Sequence, residues 1–329
     1  MEIKEVIGID VSKLTLDCHI HGCGQHKVFD NNPLGISRMV TWVFKSTEEK
    51  KEQVLFVFEH TGLYSHQLAE SLDKKGCSSY IASGLEIKRS LGISRGKDDK
   101  ADAMRIALYG YRVREEIKPH KLPSASLGRL KRLMSMRKKL VLQRAGHKAT
   151  LREQKSVLEE EGILFSVQRE IITVLSLQIS ALEKQMDKII DDDPELKELQ
   201  WLLLSVHGIG RVTARFLIIY TVGFTAFKTW RKFASYVGIA PFPYRSGTSI
   251  KGRNKVSRLA HKEGKVLLHL CACITIQSDP EMMAYYERRL EMGKSKMSTL
   301  NIIRNKLLAR AFAVARRQTP YVNTMKYAL

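Results

Sequence analysis

Asp10 follows the apolar run Ile7-Gly8-Ile9, and Glu59 follows Phe56-Val57-Phe58. Asp99 and Asp102 stand three apart in Lys97-Asp98-Asp99-Lys100-Ala101-Asp102. If the two apolar runs are neighbouring strands, both carboxylates emerge at one sheet edge, where α/β folds place their sites. A spacing of three puts Asp99 and Asp102 on one face of a helix. Carboxylates gathered in this way repel, and they stay ionised only where a cation neutralises them. Hard oxygen donors suit Mg²⁺ or Mn²⁺, and two such ions can clamp the attacking and leaving oxygens of a phosphodiester. A plainer account also exists: acids at strand ends are common, and Asp99 suits the positive N-terminus of its helix. That account weakens for all four residues together, because a strongly basic chain has little reason to concentrate acids here. Asp98, four residues from Asp102, substitutes for Asp99 on geometry alone.

A second group of residues suits phosphate chemistry. Tyr244-Arg245-Ser246-Gly247-Thr248-Ser249-Ile250-Lys251-Gly252-Arg253 mixes hydroxyls, glycines and cations. Arg245, Lys251 and Arg253 can hold a phosphate and stabilise charge developing on it. Gly247 lets backbone approach closely. Ser246 can serve as a covalent nucleophile beside a cation or metal, or it can simply donate a hydrogen bond to phosphate. Local chemistry favours the second role. Gly208 and Gly210, in Val206-His207-Gly208-Ile209-Gly210, resemble a helix-hairpin-helix turn that offers backbone N–H groups to phosphate. A plain tight connection between helices fits those two glycines equally well.

The charge names the partner class. The 329 residues carry 55 Lys and Arg against 34 Asp and Glu, a net charge of +21, which calls for a polyanion. Basic residues run one-sidedly over Gly128–Lys155, Arg245–Lys265 and Lys294–Arg317, which reads as backbone-contact surface for nucleic acid. Tyr109, Tyr111, Tyr285 and Tyr286 could stack on unpaired bases, although core packing is the simpler role for each. A membrane partner would want a basic amphipathic helix with exposed Trp or Phe opposite, and none is clear. The chain opens on a strand-like run rather than a signal pattern, and no uninterrupted apolar stretch of about 20 residues stands out, so a soluble, unsecreted protein is expected. Cys18, Cys23, Cys77, Cys271 and Cys273 match no zinc pattern and suit a reducing compartment.

These groups need elements to position them. The first 30 residues read as three strands, with Gly22-Cys23-Gly24 as a turn. A helix is expected over 34–46, a buried strand over 54–58, a helix over 63–75, a strand over 78–82, a short helix over 85–91 and a longer helix over 99–116. Strands alternating with helices point to an α/β domain with a partly parallel sheet. From 124 to 192 the chain is helical and highly charged. Ile172, Leu175, Ile179, Leu182, Met186 and Ile189 form a heptad seam, so an antiparallel helical hairpin or a dimerising coiled coil is expected, turning near Gly162. Beyond Asp193-Pro194 come helices around the Gly-Ile-Gly turn, a Gly-, Pro- and Ser-rich loop over 238–252 and three more helices.

Several of these pieces occur in a telling order: Ile7-Gly8-Ile9-Asp10-Val11-Ser12-Lys13, Glu59-His60-Thr61-Gly62, Lys97 to Ala103, the Gly-Ile-Gly turn, Phe233-Ala234-Ser235-Tyr236-Val237-Gly238, Pro241 and Ser246-Gly247. The set resembles the DEDD transposases of the insertion-sequence-110 family, over nearly the whole chain. The resemblance implies an α/β RuvC-like (RNase H-like) N-terminal domain over 1–120, a helical coiled-coil linker over 121–193 and a mostly α C-terminal transposase domain over 194–329. It puts the family's metal-binding acids on Asp10, Glu59, Asp99 and Asp102, choosing Asp99 over Asp98 through the pattern Lys-x-Asp-x-x-Asp. It puts the nucleophilic serine on Ser246, reversing the preference from local chemistry. It further implies Mg²⁺- or Mn²⁺-dependent cleavage and exchange of donor and target DNA through a covalent phosphoserine. A structured noncoding bridge RNA would act as guide. The homo-oligomer, dimer to tetramer, would share composite sites, in the nucleoid-associated cytoplasm of a prokaryote. The competing expectation is a RuvC-type junction nuclease that uses water, with Ser246 only touching phosphate. Two features depart from the family pattern: the extra acid Asp98, and Arg245 where an acid can precede the serine.

Overall fold

The computed structural model describes residues 2–90, 92, 98–117, 122–157, 162–247 and 249–323, apart from the side chains of Leu63, Ile250, Lys251 and Arg253. The chain divides into two compact units, Met1–Leu122 and Pro123–Leu329.

The first unit is built on a five-stranded sheet in the order β3-β2-β1-β4-β5. Its strands are β1 (Glu5–Val11), β2 (Thr15–Ile20), β3 (His26–Asp30), β4 (Val54–Glu59) and β5 (Ser78–Ala82). The first three form an antiparallel meander, and β4 and β5 run parallel to β1. Strands β1 and β4 read as continuous apolar runs because both of their faces are covered. On one face Ile7, Ile9, Phe56 and Phe58 pack with Ile36, Met39 and Val43 of α1 (Pro33–Thr47) and Leu68 and Leu72 of α2 (Leu63–Lys74). On the other, Val6, Leu55 and Val57 meet Ile87 of α3 (Gly84–Ser90) and Ile106 and Tyr109 of α4 (Asp99–Val113). Helix α1 starts where Asn32 accepts from Gly35 N and Pro33 takes the first turn. This is the α/β domain with a partly parallel sheet expected, with α4 ending slightly before the expected 116.

The second unit opens with two long helices, α5 (Ala125–Val157) and α6 (Ile163–Asp191), the latter capped at Gly162. Contacts run from Arg137 to Glu183, Arg144 to Ser176 and His147 to Gln168, descending one helix as they climb the other. That is the antiparallel hairpin, one of the two arrangements expected from the heptad seam. By length and composition α6 is apolar enough to cross a membrane, although the sequence shows no such stretch free of polar residues. Its Gln168, Ser176 and Glu183 are bonded to α5. The hairpin base, Leu127, Leu130 and Met134 with Met186, Ile189 and Ile190, enters a large helical core.

That core gathers α7 (Pro194–Leu204), α8 (Arg211–Thr221), α9 (Trp230–Tyr236), α10 (Lys262–Ser278), α11 (Pro280–Glu291) and α12 (Lys296–Arg317). Asp193, Thr229, Asp279 and Ser295 cap four of these helices with side-chain oxygens. The expected loop at 238–252 is instead mostly a two-stranded hairpin, β6 (Pro241–Ser246) paired with β7 (Ile250–Val256). Glycines and prolines suggested a loop, but a two-stranded ribbon leaves one edge of each strand free, where Pro241 and Pro243 need no N–H partner.

Candidate active site

Strand register sets the first part of the site. Ile9 pairs with Phe58 in the parallel β1–β4 ladder, so Asp10 and Glu59 come next side by side at the same ends of adjacent strands. Side chains alternate along a strand. Val6, Gly8 and Asp10 therefore share the face that α4 covers, as do Leu55, Val57 and Glu59. Gly8 explains how close α4 comes. A Cβ there would strike Ala103 O and Ala107 N and lie 2.7 Å from Ala107 Cα. The helix thus rests on bare backbone, with Asp99 and Asp102 in its first turn beside the end of β1.

Electrostatics registers the result. The Asp10 carboxyl is half-buried, and its pKa is pushed up to about 6. Burial contributes most, followed by the charges of Asp99, Asp102 and then Asp17. Asp98 is the N-cap residue of α4, and its carbonyl accepts from Asp102 N. Asp102 also pairs with Arg105 at 2.8 Å. Glu59 turns elsewhere: its carboxylate lies against Gly84 at the start of α3, where a Cβ would displace it. Among the described residues no three His, Cys, Asp or Glu side chains form a ready metal shell. The donor set nevertheless suits a hard divalent cation, since positive charge beside Asp10 would relieve the repulsion that raises its pKa.

Asp17 escaped the sequence reading. It pairs directly with Asp10 across the antiparallel β1–β2 ladder and is almost fully buried, with His26 Nε2 at 3.2 Å from its Oδ1. The alternation of Leu16, Cys18 and Ile20 with Thr15, Asp17 and His19 was the available signal, because an acid on the inner face of a two-sided sheet needs a reason.

The serine lies in the second unit. Ser246 ends β6, is exposed, and precedes Gly247 with φ of +54° in the hairpin turn. Arg245 precedes it in the extended strand, so the two side chains leave on opposite faces. The Lys251 and Arg253 side chains lie outside the described residues. The hairpin's base is firmly held. Asn301 and Asn305 of α12 both donate to Ile239 O, at 2.8 and 3.1 Å. Gly238, with φ of +68°, lets that backbone pack on Ala260, and His261 N donates to Tyr236 O. Neither asparagine drew attention in the sequence, because their partner is a carbonyl about 60 residues away.

Gly208 adopts φ of +86°, with no room for a Cβ against Thr275, and Gly210 caps α8 with open space before it. The turn thus combines tight packing with an open helix N-terminus. The basic runs divide in role. Within Lys294–Arg317, Arg304 is buried against His269, and Arg310 pairs with Glu281 and Asp279. Those two arginines are structural, contrary to the expectation of a uniform contact surface. The acids that neutralise Arg310 come from another stretch of chain.

Comparison with known proteins agrees with this arrangement of sequence. Residues 7–160 match a family model described as a transposase of the DEDD, IS110 type, and residues 200–287 match one described as the IS116/IS110/IS902 transposase family. The chain is 30% identical over 325 residues to a pilin gene-inverting protein of Moraxella bovis, covering 97% of this chain and 98% of that one. It is 31% identical over 154 residues to an IS110 insertion-element protein of Streptomyces coelicolor, covering 47% of this chain and 37% of that protein. Among solved structures, Thermus thermophilus RuvC, solved with a Holliday junction substrate, matches at a TM-score of 0.27 and 13% identity, over 36% of this chain and 99% of RuvC. With one relative similar from end to end and both family models matched in order, this chain belongs to the IS110 family of transposases.

Proposed function

We propose that the protein cleaves and rejoins donor and target DNA through a covalent bond to Ser246, at a site completed by Asp10, Glu59, Asp99 and Asp102. The observation that carries the acidic half is the raised pKa of Asp10, held up by burial and by Asp99 and Asp102. Those acids would hold Mg²⁺ or Mn²⁺, which would supply positive charge to the phosphate. Ser246 Oγ attacks phosphorus and loses its proton as the new O–P bond forms. One sugar oxygen leaves and takes up a proton. A sugar hydroxyl from the exchanging strand then attacks the phosphoserine and releases Ser246, so bond energy is conserved. The exposed position of Ser246 on a hairpin braced by Asn301 and Asn305 suits a nucleophile that must reach a duplex.

The rest of the proposal concerns partners. A bridge RNA pairs with both DNAs, and the basic faces of the helical hairpin and of the 245–265 region contact nucleic-acid backbone, with Arg245, Lys251, Arg253 and the Gly208–Gly210 turn among the contacts. The segments 1–120, 121–193 and 194–329 act as acidic domain, linker and serine domain. A dimer or tetramer joins the acids of one subunit to the serine of another.

The test is trapping on a labelled DNA substrate with the copurified RNA. Wild type should yield a covalent protein–DNA adduct that Ser246→Ala abolishes and Asp10→Ala strongly reduces. Cleavage by Ser246→Ala at the wild-type rate would make water the nucleophile and the serine a phosphate contact only.

A further inference from the structure

A cavity of about 640 Å³ opens between α11 and α12, lined by Pro280, Glu281, Ala284, Tyr285, Arg288 and Lys306. That volume suits a small ligand. Its chemistry is divided. Pro280, Ala284 and the Tyr285 ring supply apolar surface, and Arg288 and Lys306 supply charge. Lys306 Nζ lies 3.7 Å from the Tyr285 ring centroid, and the Arg288 guanidinium 5.7 Å from it. The acid in the lining, Glu281, is already paired with Arg310 at 2.9 Å. Neither Arg288 nor Lys306 has an ion pair among the described residues, so the cavity presents net positive charge. Burial lowers the pKa of Lys306; Glu281 opposes the shift, and Arg310 and Arg288 add to it.

We propose that this cavity binds one unpaired nucleotide of a nucleic-acid strand, with its phosphate between Arg288 and Lys306 and its base against Pro280, Ala284 and Tyr285. A purely anionic ligand would leave the apolar wall unused, and an apolar one would leave two cations unpaired. A paired base cannot enter, because its faces are stacked and its edge is occupied. The nucleotide must therefore come from a single strand, a loop or a base turned out of a duplex. The inference rests on the chain acting on nucleic acid, and it is independent of the role of Ser246.

Short single strands of RNA and of DNA carrying photoreactive iodouracil should crosslink at Tyr285, with the two arms showing which strand supplies the nucleotide. Arg288→Gln and Lys306→Gln should each weaken single-strand binding about tenfold. Each should also lower the slope of log affinity against log salt by roughly 0.7, the loss of one phosphate contact. Lys306→Arg should retain most of the binding, which separates lost charge from lost folding. Unchanged single-strand affinity in both Gln variants, an equal loss on intact duplex, or crosslinks only outside 280–288 would overturn the proposal. If the Ser246 adduct forms normally while the crosslink falls elsewhere, the cavity alone is misassigned. If neither single strands nor duplex bind, the nucleic-acid reading fails with it.

Discussion

Replacing Asp10 by Asn keeps the side chain's shape and removes its charge, and the structure sets the expected effect on stability. The Asp10 carboxyl moves from an ordinary 3.8 to about 6 on folding, a shift of about 2 units, or about 3 kcal/mol at 1.36 kcal/mol per unit. Asp10 is only half-buried, and solvent screening reduces that to roughly 1–2 kcal/mol. The sign follows from proton uptake. Between pH 3.8 and about 6 the folded state keeps a proton that the unfolded chain has released, so stability falls as pH rises through that window. Below pH 3.8 both states hold the proton and the cost vanishes. In chelator at pH 7, Asp10→Asn should therefore unfold about 1–2 kcal/mol later than wild type, roughly 5 °C for a unit of this size. Near pH 4 the two should coincide. Adding Mg²⁺ at pH 7 should stabilise wild type, by about 2.7 kcal/mol at a hundredfold excess over Kd, and should stabilise the variant far less. Urea denaturation at the two pH values, with and without the ion, measures all of this. A difference independent of pH, or a wild type more stable than Asp10→Asn at pH 7 in chelator, would refute the claim that Asp99, Asp102 and burial crowd this carboxylate.

Three further outcomes follow from packing. Gly8→Ala drives a Cβ into the backbone of α4 at Ala103 and Ala107, and should cost at least about 3 kcal/mol in thermal unfolding, the upper end for overpacking; a loss under about 1 kcal/mol would mean that α4 does not rest on β1. Asn301→Ala with Asn305→Ala strips both donors from Ile239 O, costing about 1–3 kcal/mol and lowering Ser246 adduct formation. An adduct yield equal to wild type would show that the hairpin is positioned by other contacts. Asp187→Ala leaves the buried Arg215 without the partner that also pairs with Arg211 at 3.7 Å. It should cost about 3–5 kcal/mol, whereas Arg211→Ala, exposed on the same acid, should cost under about 1 kcal/mol; equal losses in chemical denaturation would deny the difference in burial.

Much of the molecule was written in local pattern. The apolar runs Val6–Ile9 and Val54–Phe58 marked β1 and β4, and the alternation of three- and four-residue spacings marked the α5–α6 hairpin. The order of short motifs marked the family. Those features are legible because hydrophobic period and motif order are properties of neighbouring residues. Only tertiary structure decided that Asp17 joins Asp10 from the next strand and that Glu59 leans onto Gly84. It also turned a Gly- and Pro-rich loop into a hairpin anchored by Asn301 and Asn305, and made Arg304 and Arg310 structural rather than open to a polyanion. Each of these outcomes depends on strand register or on a contact between distant segments. Local composition carries no record of such contacts, because burial and charge act through space while the pattern is read along the chain.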